Sequence, residues 1–435
     1  MNQDLIKQVI VNQRAVFLKT DGFISRDILD RADFKTLCDI KEAVIVTGVR
    51  RSGKSYLMRL IWKKIKDDEQ AGEDNFLYVN FEDEKLLDFK AENFEDVLLR
   101  YFELYKVDHK RKIYLFFDEI QNINGWEKFI NRLIEEGGYK IFITGSNATL
   151  LSKEISSSLT GRSFPISLYP LSFSEFVNWK FSGKPSNEEL FKTETRALLK
   201  KLFFEFKEQG GFPEVVLQGF RPLLQEYMKN IIYRDIVARY KIRNETSLRE
   251  LASFAISNIG TAMSLENIGK MTRIKSTMTV KNYLSHLENS YLFFFVSKYS
   301  HSIKKQIYNP DKIYVIDTGL YNEVAFSTSG NEGHLLENMV YLEMRRSEMD
   351  VYYSAGKNEC DFVLQKKNKI IEAIQVTKFL DRTNEEREIN GLYEALEEYD
   401  LAEGLILTED EGRILEKNGK KITVQPIWEW MLMKK

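Results

Sequence analysis

The stretch that most limits what this chain can fold into is Gly48-Val49-Arg50-Arg51-Ser52-Gly53-Lys54-Ser55, which fits the pattern G-x-x-x-x-G-K-[ST]. The run before it, Ala43 to Thr47, reads as a buried strand, and the residues after it read as a helix. Strand, glycine loop and helix form the context the pattern needs. Glycines let the loop wrap so that its backbone N–H groups converge on phosphate oxygens, and the helix adds its positive end. Gly48, Arg51, Ser52, Gly53, Lys54, Ser55 and Tyr56 are therefore the expected nucleotide-binding residues. Lys54 is expected to reach the β- and γ-phosphates and Ser55 to ligate Mg2+, which makes ATP and Mg2+ the expected cofactors. The bland alternative is a chance match in a surface turn.

From about residue 41 to 178, short apolar runs alternate with helical patterns: AVIVTG, NFLYVNFED, KIYLFFDEI, KIFITGSN and SFPISLYPLS. That alternation implies a parallel sheet with helices on both faces, an α/β architecture. The run Ile113 to Phe117 ends in Asp118-Glu119. Asp118 is expected to hold Mg2+ and Glu119 to polarise an attacking water, which favours hydrolysis over nucleotide storage. An acidic strand end capping the next helix is the structural alternative. KIFITGSN ends in Ser146 and Asn147, either of which could position the water, or simply cap a helix over ATLLSKEI. Arg162 stands just before the next strand and is a candidate finger for transferred charge, or else a plain surface arginine.

At 435 residues the chain is too long for one core, and two to four domains are expected. A net charge of −2 excludes a uniformly basic nucleic-acid-binding molecule, so any such binding must come from a local patch. The two cysteines lie far apart, which gives neither a disulfide framework nor a metal-ligand cluster and suits a reducing cytoplasm. The polar start MNQDLIKQVIVNQR does not read as a signal peptide, and no run of 18 apolar residues predicts a membrane span. No membrane partner and a cytoplasmic location are therefore expected.

Together these residues resemble the AAA+ ATPases, with Walker A at 48–55, Walker B at 114–119, sensor 1 around Ser146 and Asn147, and a finger at Arg162. The segments VTGVRRSGKS, FFDEIQNINGWEKFI, ITGSNATLLSKEISSSLTGR, LYPLSFSEF and GGFPEVV are similar to one prokaryotic branch, whose ATPase carries a DUF4143-type C-terminal region. The resemblance implies a P-loop AAA+ parallel-sheet core, then a helical lid and winged helix, then a restriction-endonuclease-like α/β domain. The expected boundaries are 1–40 for a helical lead-in, 41–180 for the ATPase, 181–255 for the lid, 256–320 for the winged helix and 321–435 for the last domain. Self-association into a ring or smaller oligomer is a further implication.

Residues 264–305 have a helix–turn–helix rhythm, with Leu265, Ile268 and Met271 expected inside on one helix and Val280, Tyr283, Leu284 and Leu287 on the next. This segment holds seven Lys or Arg against two acids. Arg273, Lys275, Ser276, Lys281 and Asn282 are candidate DNA contacts, with Thr272 and Thr279 as further donors; a protein-contacting lid is the alternative. The endonuclease-like core would need an acid on a helix, an Asp on a strand and E-x-K on the next. Glu337 and Asp361 fill the first two places, but Gln375 replaces the Glu and Thr377 the Lys, with Lys378 one residue on. Glu337, Asp361 and Gln375 thus form a candidate second metal site in a core that reads as either a nuclease or a retired one. A further acidic pair or Arg387 in DRTNEEREI is a candidate contributor whose location the sequence does not fix. The expected function is ATP hydrolysis coupled to DNA binding or remodelling; the alternatives are an ATP-gated nuclease and a nucleotide-controlled protein-assembly switch in signalling or defence.

Overall fold

The computed structural model describes residues 2–19, 22–30, 34–68, 71–147, 161–181, 183–186, 188–325, 332–347 and 349–433. The chain divides into two compact units, Met1–Tyr169 and Pro170–Lys435.

The first unit is built on five parallel strands: β1 (Ala43–Thr47), β2 (Phe76–Asn80), β3 (Ile113–Asp118), β4 (Tyr139–Gly145) and β5 (Ser163–Ser167). Their order across the sheet is β2-β3-β4-β1-β5. All five residues of β1 and all six of β3 are buried, as strands covered on both faces must be. Alternation divides them: Ile45, Leu115, Phe117 and Ile143 face one core, and Val46, Phe116 and Phe142 face the other.

On the first face lie α1 (Gln3–Phe17), α4 (Phe94–Leu104) and α5 (Trp126–Glu136), through Ile6, Val97, Trp126 and Ile130 among others. On the second lies α3 (Lys54–Asp67), which buries Leu57, Met58, Ile61, Trp62 and Ile65, the one-sided stripe of an amphipathic helix. Burying each such side chain stabilises the fold by about 1.5–3 kcal/mol. The lead-in before residue 40, which ends in α2 (Phe34–Asp39), is packed into these same cores: Ile10 lies in the first, while Leu37 lies in the second and Phe17 stacks there on Tyr78 at 4.4 Å.

The order of strands is what positions chemistry. Because β4 lies between β1 and β3, its C-terminal end sits between the glycine loop after β1 and the acids after β3. This places the site at the carboxyl edge of the sheet, where open α/β sheets bind ligands.

The second unit opens with the helix Phe173–Lys180, which has a reciprocal cap. Ser172 Oγ accepts from the Glu175 N–H and Glu175 Oε2 accepts from the Ser172 N–H, at 3.0 and 2.9 Å. The helix Thr193–Gln209 ends at Gly210-Gly211. A Cβ at Gly210 would lie 2.1 Å from Asp317 Oδ1 and one at Gly211 2.3 Å from the Leu171 carbonyl oxygen, so no larger residue fits either place. Further helices run through Glu245–Ser257, with Ile231–Ala238 wound as a π-helix.

There follow β6 (Ala262–Met263), the helices Leu265–Met271 and Thr277–Asn289, β7 (Phe293–Val296), a short helix Ile303–Tyr308 and β8 (Asp311–Val315). These three strands form an antiparallel sheet in the order β6-β8-β7. Val280, Tyr283, Leu284 and Leu287 are buried as expected, and so is Ile268; Leu265 is half-buried. Met271 is corrected: it is 72% exposed, because its helix is only seven residues long and ends there. Thr272 is also buried, donating its hydroxyl to the Ile268 carbonyl at 2.8 Å, so it is no free donor.

The last sheet has β9 (Asp350–Ala355), β10 (Glu359–Lys366), β11 (Lys369–Val376), β12 (Glu403–Thr408), β13 (Arg413–Lys417) and β14 (Lys420–Pro426), in the order β13-β14-β12-β11-β10-β9. Its central strands β11, β12 and β14 run parallel and the other pairings are antiparallel. Among the described residues, no helix is long and apolar enough to cross a membrane.

Candidate active site

β1 delivers the glycine loop. A Cβ at Gly48 would fall 2.1 Å from the Leu168 carbonyl oxygen, which fixes glycine as the first residue. Arg51 and Gly53 turn the loop through positive φ, 70° and 95°, before α3 begins at Lys54. No side chain caps the first turn of α3, and the buried Ser52 hydroxyl has no hydrogen-bond partner. A helix start with open N–H groups and an orphaned hydroxyl suits an anion.

Arg26, buried in the segment before β1, holds the loop from behind. Its guanidinium donates to the Ser52 carbonyl at 3.0 Å and to the Tyr169 carbonyl at 2.7 Å. Lys54 Nζ donates to the carbonyls of Gly48 and Val49, both at 3.1 Å, and lies 3.8 Å from Glu119 Oε1. Tyr56 is exposed at the rim, its ring tilted against that of Phe23 at 4.1 Å.

Asp118 is the electrostatic centre. It is fully buried at the end of β3 and takes hydroxyl hydrogen bonds from three elements: Ser55 on α3, Tyr78 on β2 at 2.9 Å and Thr144 on β4. Burial, then the Glu119 charge, raise its pKa above the usual carboxylate range, and the three hydroxyls pull the other way. Burial and the adjacent carboxylate push Tyr78 upward as well.

Glu119 follows in the left-handed region, at φ 53° and ψ 41°. Its N–H donates to Thr144 Oγ1 at 3.0 Å, and its carboxylate accepts from Gln121. Ser146 and Asn147 are both buried just past β4. The helix read over the residues that follow lies outside those described.

The loop residues, Ser55, Asp118, Glu119 and the β4 end therefore meet at one edge. A hydroxyl and a carboxylate already paired there are the hard oxygen donors that Mg2+ takes. Arg162 is elsewhere. Its carbonyl accepts from the Ala43 N–H, and Ser163 pairs with Ala43, so it flanks the start of β1. The loop lies past the other end of that strand, about 17 Å away at 3.3 Å per residue. Arg162 is 41% exposed and pairs with Glu135 at 2.7 Å.

Sequence reasoning missed Arg26, Tyr78 and Thr144. Nothing in the chain order shows that β4 lies beside β3, so Thr144 gave no signal. A buried arginine reveals itself only through its partners.

In the second unit, Arg273, Lys275, Ser276, Lys281 and Asn282 are all exposed, on the turn and outer face of the helix Thr277–Asn289. Ser276 caps that helix, accepting from the Thr279 N–H at 3.3 Å.

Glu337 on the helix Glu332–Arg346, Asp361 on β10 and Gln375 on β11 do converge, but around an ammonium. Lys312 of β8 places Nζ 2.8 Å from Glu337 Oε1, 2.8 Å from Glu359 Oε1 and 3.1 Å from Asp361 Oδ1. Gln375 Oε1 accepts from the Asp361 N–H at 3.2 Å, and its amide donates to Glu388, which in turn pairs with Arg387. Of the candidate second metal site, Glu337 and Asp361 thus each give an oxygen to the Lys312 ammonium, and Gln375 gives its oxygen to the Asp361 N–H. Among the described residues, no group of three or more His, Cys, Asp or Glu could hold a metal ion. Burial pushes the Glu337 carboxyl above its usual range, while the Lys312 ammonium pulls it back. Burial alone would lower the Lys312 pKa, but its surrounding carboxylates more than offset that and leave it raised. Lys378 reaches Glu332 at the surface, and Thr377 donates to the Phe379 carbonyl.

A family model described as an AAA domain matches residues 40–177, and one described as a domain of unknown function (DUF8612) matches residues 200–331. The DUF4143 type expected for the C-terminal region is not one of these two descriptions. The uncharacterised protein MJ1544 of Methanocaldococcus jannaschii is 36% identical over 409 residues, covering 89% of this chain and 88% of its own. The chain belongs to the MJ1544 family of AAA-domain proteins. Another relative of this AAA-domain chain, an uncharacterised protein of Haemophilus influenzae, is 30% identical over 353 residues, covering 78% of this chain and 84% of its own. The RuvB Holliday junction branch migration motor of Thermotoga maritima gives a TM-score of 0.33 at 15% identity, covering 64% of this chain and 93% of its own. So slight an overlap says nothing about what this chain does.

Proposed function

We propose that the chain is a Mg2+-dependent ATPase that couples hydrolysis to nucleic acid. The observation that carries the first part is Asp118: a fully buried carboxylate held by hydroxyls from the loop helix and both neighbouring strands, beside a glycine loop. Burying a carboxylate this way costs stability, so the arrangement is maintained for use rather than for the fold. In this reading Ser55 and Asp118 hold Mg2+. When bound, the ion neutralises charge on the β- and γ-phosphate oxygens. Lys54 sets an ammonium at the centre of the loop, and Glu119 orients and deprotonates the attacking water. Ser146 and Asn147 fix that water from the end of β4.

Arg162 supports self-association. It stands at the far end of β1 from its own loop, half-exposed and paired with Glu135, so its use as a finger requires a neighbouring copy. The element order from Glu245–Ser257 to β8 supports a winged helix, and the exposed Arg273, Lys275, Lys281 and Asn282 support DNA as its load. We take the ATPase as 41–180, a helical lid as 181–255 and the winged helix as 256–320, with a DUF4143-type, endonuclease-like fold from 321 on.

The test is the ATPase rate against a panel of duplex and single-stranded DNA and RNA, with mass measured in parallel. A salt-sensitive rise in turnover with DNA is expected. No DNA binding at low salt and no change in turnover would remove the nucleic-acid part and leave a nucleotide-controlled assembly switch.

A further inference from the structure

A lysine on a buried strand is costly to enclose and needs compensating partners. Lys312 is such a residue, with 2% of its side chain exposed and three carboxylates around its Nζ. The carboxylates come from different elements: Glu337 from a helix, Glu359 and Asp361 from β10. This is the donor set from which a helix-and-strand nuclease centre would build its metal site. The ammonium donates to Glu337 and Asp361 at 2.8 and 3.1 Å and forms an ion pair with Glu359 at 2.8 Å.

The surrounding atoms are committed too. The second oxygen of Asp361 accepts from the Val376 N–H at 2.9 Å, and the Tyr314 hydroxyl donates to Glu337. A divalent ion would need the same carboxylates at about 2.0–2.6 Å and would stand against the +1 charge already among them.

The lysine also arrives from an instructive direction. β8 belongs to the three-stranded sheet, not to the last sheet. Other contacts run beside it. Asn338 uses its side-chain amide as a backbone mimic, pairing with both the N–H and the carbonyl of Val315 at 2.8 and 3.0 Å. Tyr314 stacks on Tyr341 at 4.4 Å, and the Tyr353 hydroxyl donates to the Pro310 carbonyl at 2.7 Å.

We propose that this cluster is a cation site whose permanent occupant is the chain's own Lys312 ammonium, which excludes divalent ions and bolts β8 to the last sheet. The last domain is then a module that binds or supports, with no metal centre for cutting. Removing the lysine turns it back into a metal site.

Mn2+ is the probe, titrated into the full chain without nucleotide and followed by electron paramagnetic resonance and thermal melting. Wild type and Asp361→Asn should bind the same number of Mn2+ ions. Lys312→Ala should melt at a lower temperature, bind one more Mn2+ per chain, and regain melting temperature as Mn2+ is added. Lys312→Ala combined with Asp361→Asn should lose that extra ion. The proposal is overturned if Asp361→Asn alone binds one ion fewer than wild type, or if folded Lys312→Ala takes up no additional Mn2+. If Lys312→Ala does not fold, the comparison of wild type with Asp361→Asn still decides whether the native site excludes the metal.

Discussion

Replacing Thr144 by Val tests the candidate site at a residue whose whole contribution is one hydroxyl. Thr144 is fully buried; its Oγ1 donates to Asp118 and accepts the Glu119 N–H at 3.0 Å. Valine keeps the shape and removes both bonds. A hydrogen bond to an ionised group contributes about 1.5–3 kcal/mol, and a buried N–H left unpaired costs about 1–3 kcal/mol. The full sum is a ceiling, because Asp118 keeps its bonds from Ser55 and Tyr78 and the two losses share one atom. The expected loss is about 2–4 kcal/mol in the first unit, read as a lower denaturation midpoint by calorimetry or guanidinium.

Turnover should suffer separately. Glu119 sits in a left-handed backbone conformation, and the bond to Thr144 is one of the constraints that keeps it there. Freed, its carboxylate loses its aim, and kcat should fall about 10- to 100-fold, in line with the effect of misplacing a reacting group by an ångström. ATP affinity should stay within about threefold, because the phosphate-binding loop is untouched. Thr144→Ser restores the hydroxyl and should recover most of both losses. A Thr144→Val protein with wild-type midpoint and wild-type kcat would refute the reading of Asp118 and Glu119 as a site braced from β4.

Glu119→Gln should bind ATP normally and lose about 10²- to 10⁴-fold in turnover, measured by single-turnover hydrolysis; normal turnover would remove the water-activating role. Lys54→Ala should abolish or severely weaken binding of a fluorescent ATP analogue. Arg162→Ala should lower turnover only at concentrations where the chain self-associates, so loss in a proven monomer would contradict action in a neighbouring copy. Asp317 supplies the pH test: burial raises it to about 6, against hydrogen bonds from Gly211, Leu320 and Gly319. The folded state keeps this proton at pH values where the unfolded chain, near 3.9, has released it. Stability should therefore fall by roughly 3 kcal/mol as pH rises from about 4 to about 6 and stay level above, and Asp317→Asn should flatten that slope in denaturant titrations.

Much of the first unit was legible because β1 to β4 are short apolar runs closed by a polar or glycine signal. The chain does not announce lateral order, and order is what makes Thr144 and Tyr78 partners of Asp118. Periodicity failed at Met271 for a different reason. Seven residues give two turns, too few for a stripe to separate inner from outer positions, and the last one points to solvent. A readable signal was overlooked in Asn418-Gly419, the two-residue turn joining β13 to β14, where both residues take positive φ at 50° and 79°. The segments LYPLSFSEF and GGFPEVV suggested family membership, and their visible work is structural: a capped helix and a glycine pair pressed against Asp317 and Leu171.

The two buried aspartates show why the residue type alone could not separate a candidate catalytic centre from a structural one. Asp118 and Asp361 each end up almost fully enclosed, and each follows from an acid in or at the end of an apolar strand. Their partners differ in charge. Hydroxyls from Ser55, Tyr78 and Thr144 are neutral, so they orient the Asp118 carboxylate while leaving its charge for an incoming cation. The Lys312 ammonium supplies that charge internally at Asp361. Electrostatics then predicts one divalent ion per chain rather than two, bound at Ser55 and Asp118 and strengthened by nucleotide. A Mn2+ titration with ATP that saturates at two tightly held ions per chain would break this argument at its root.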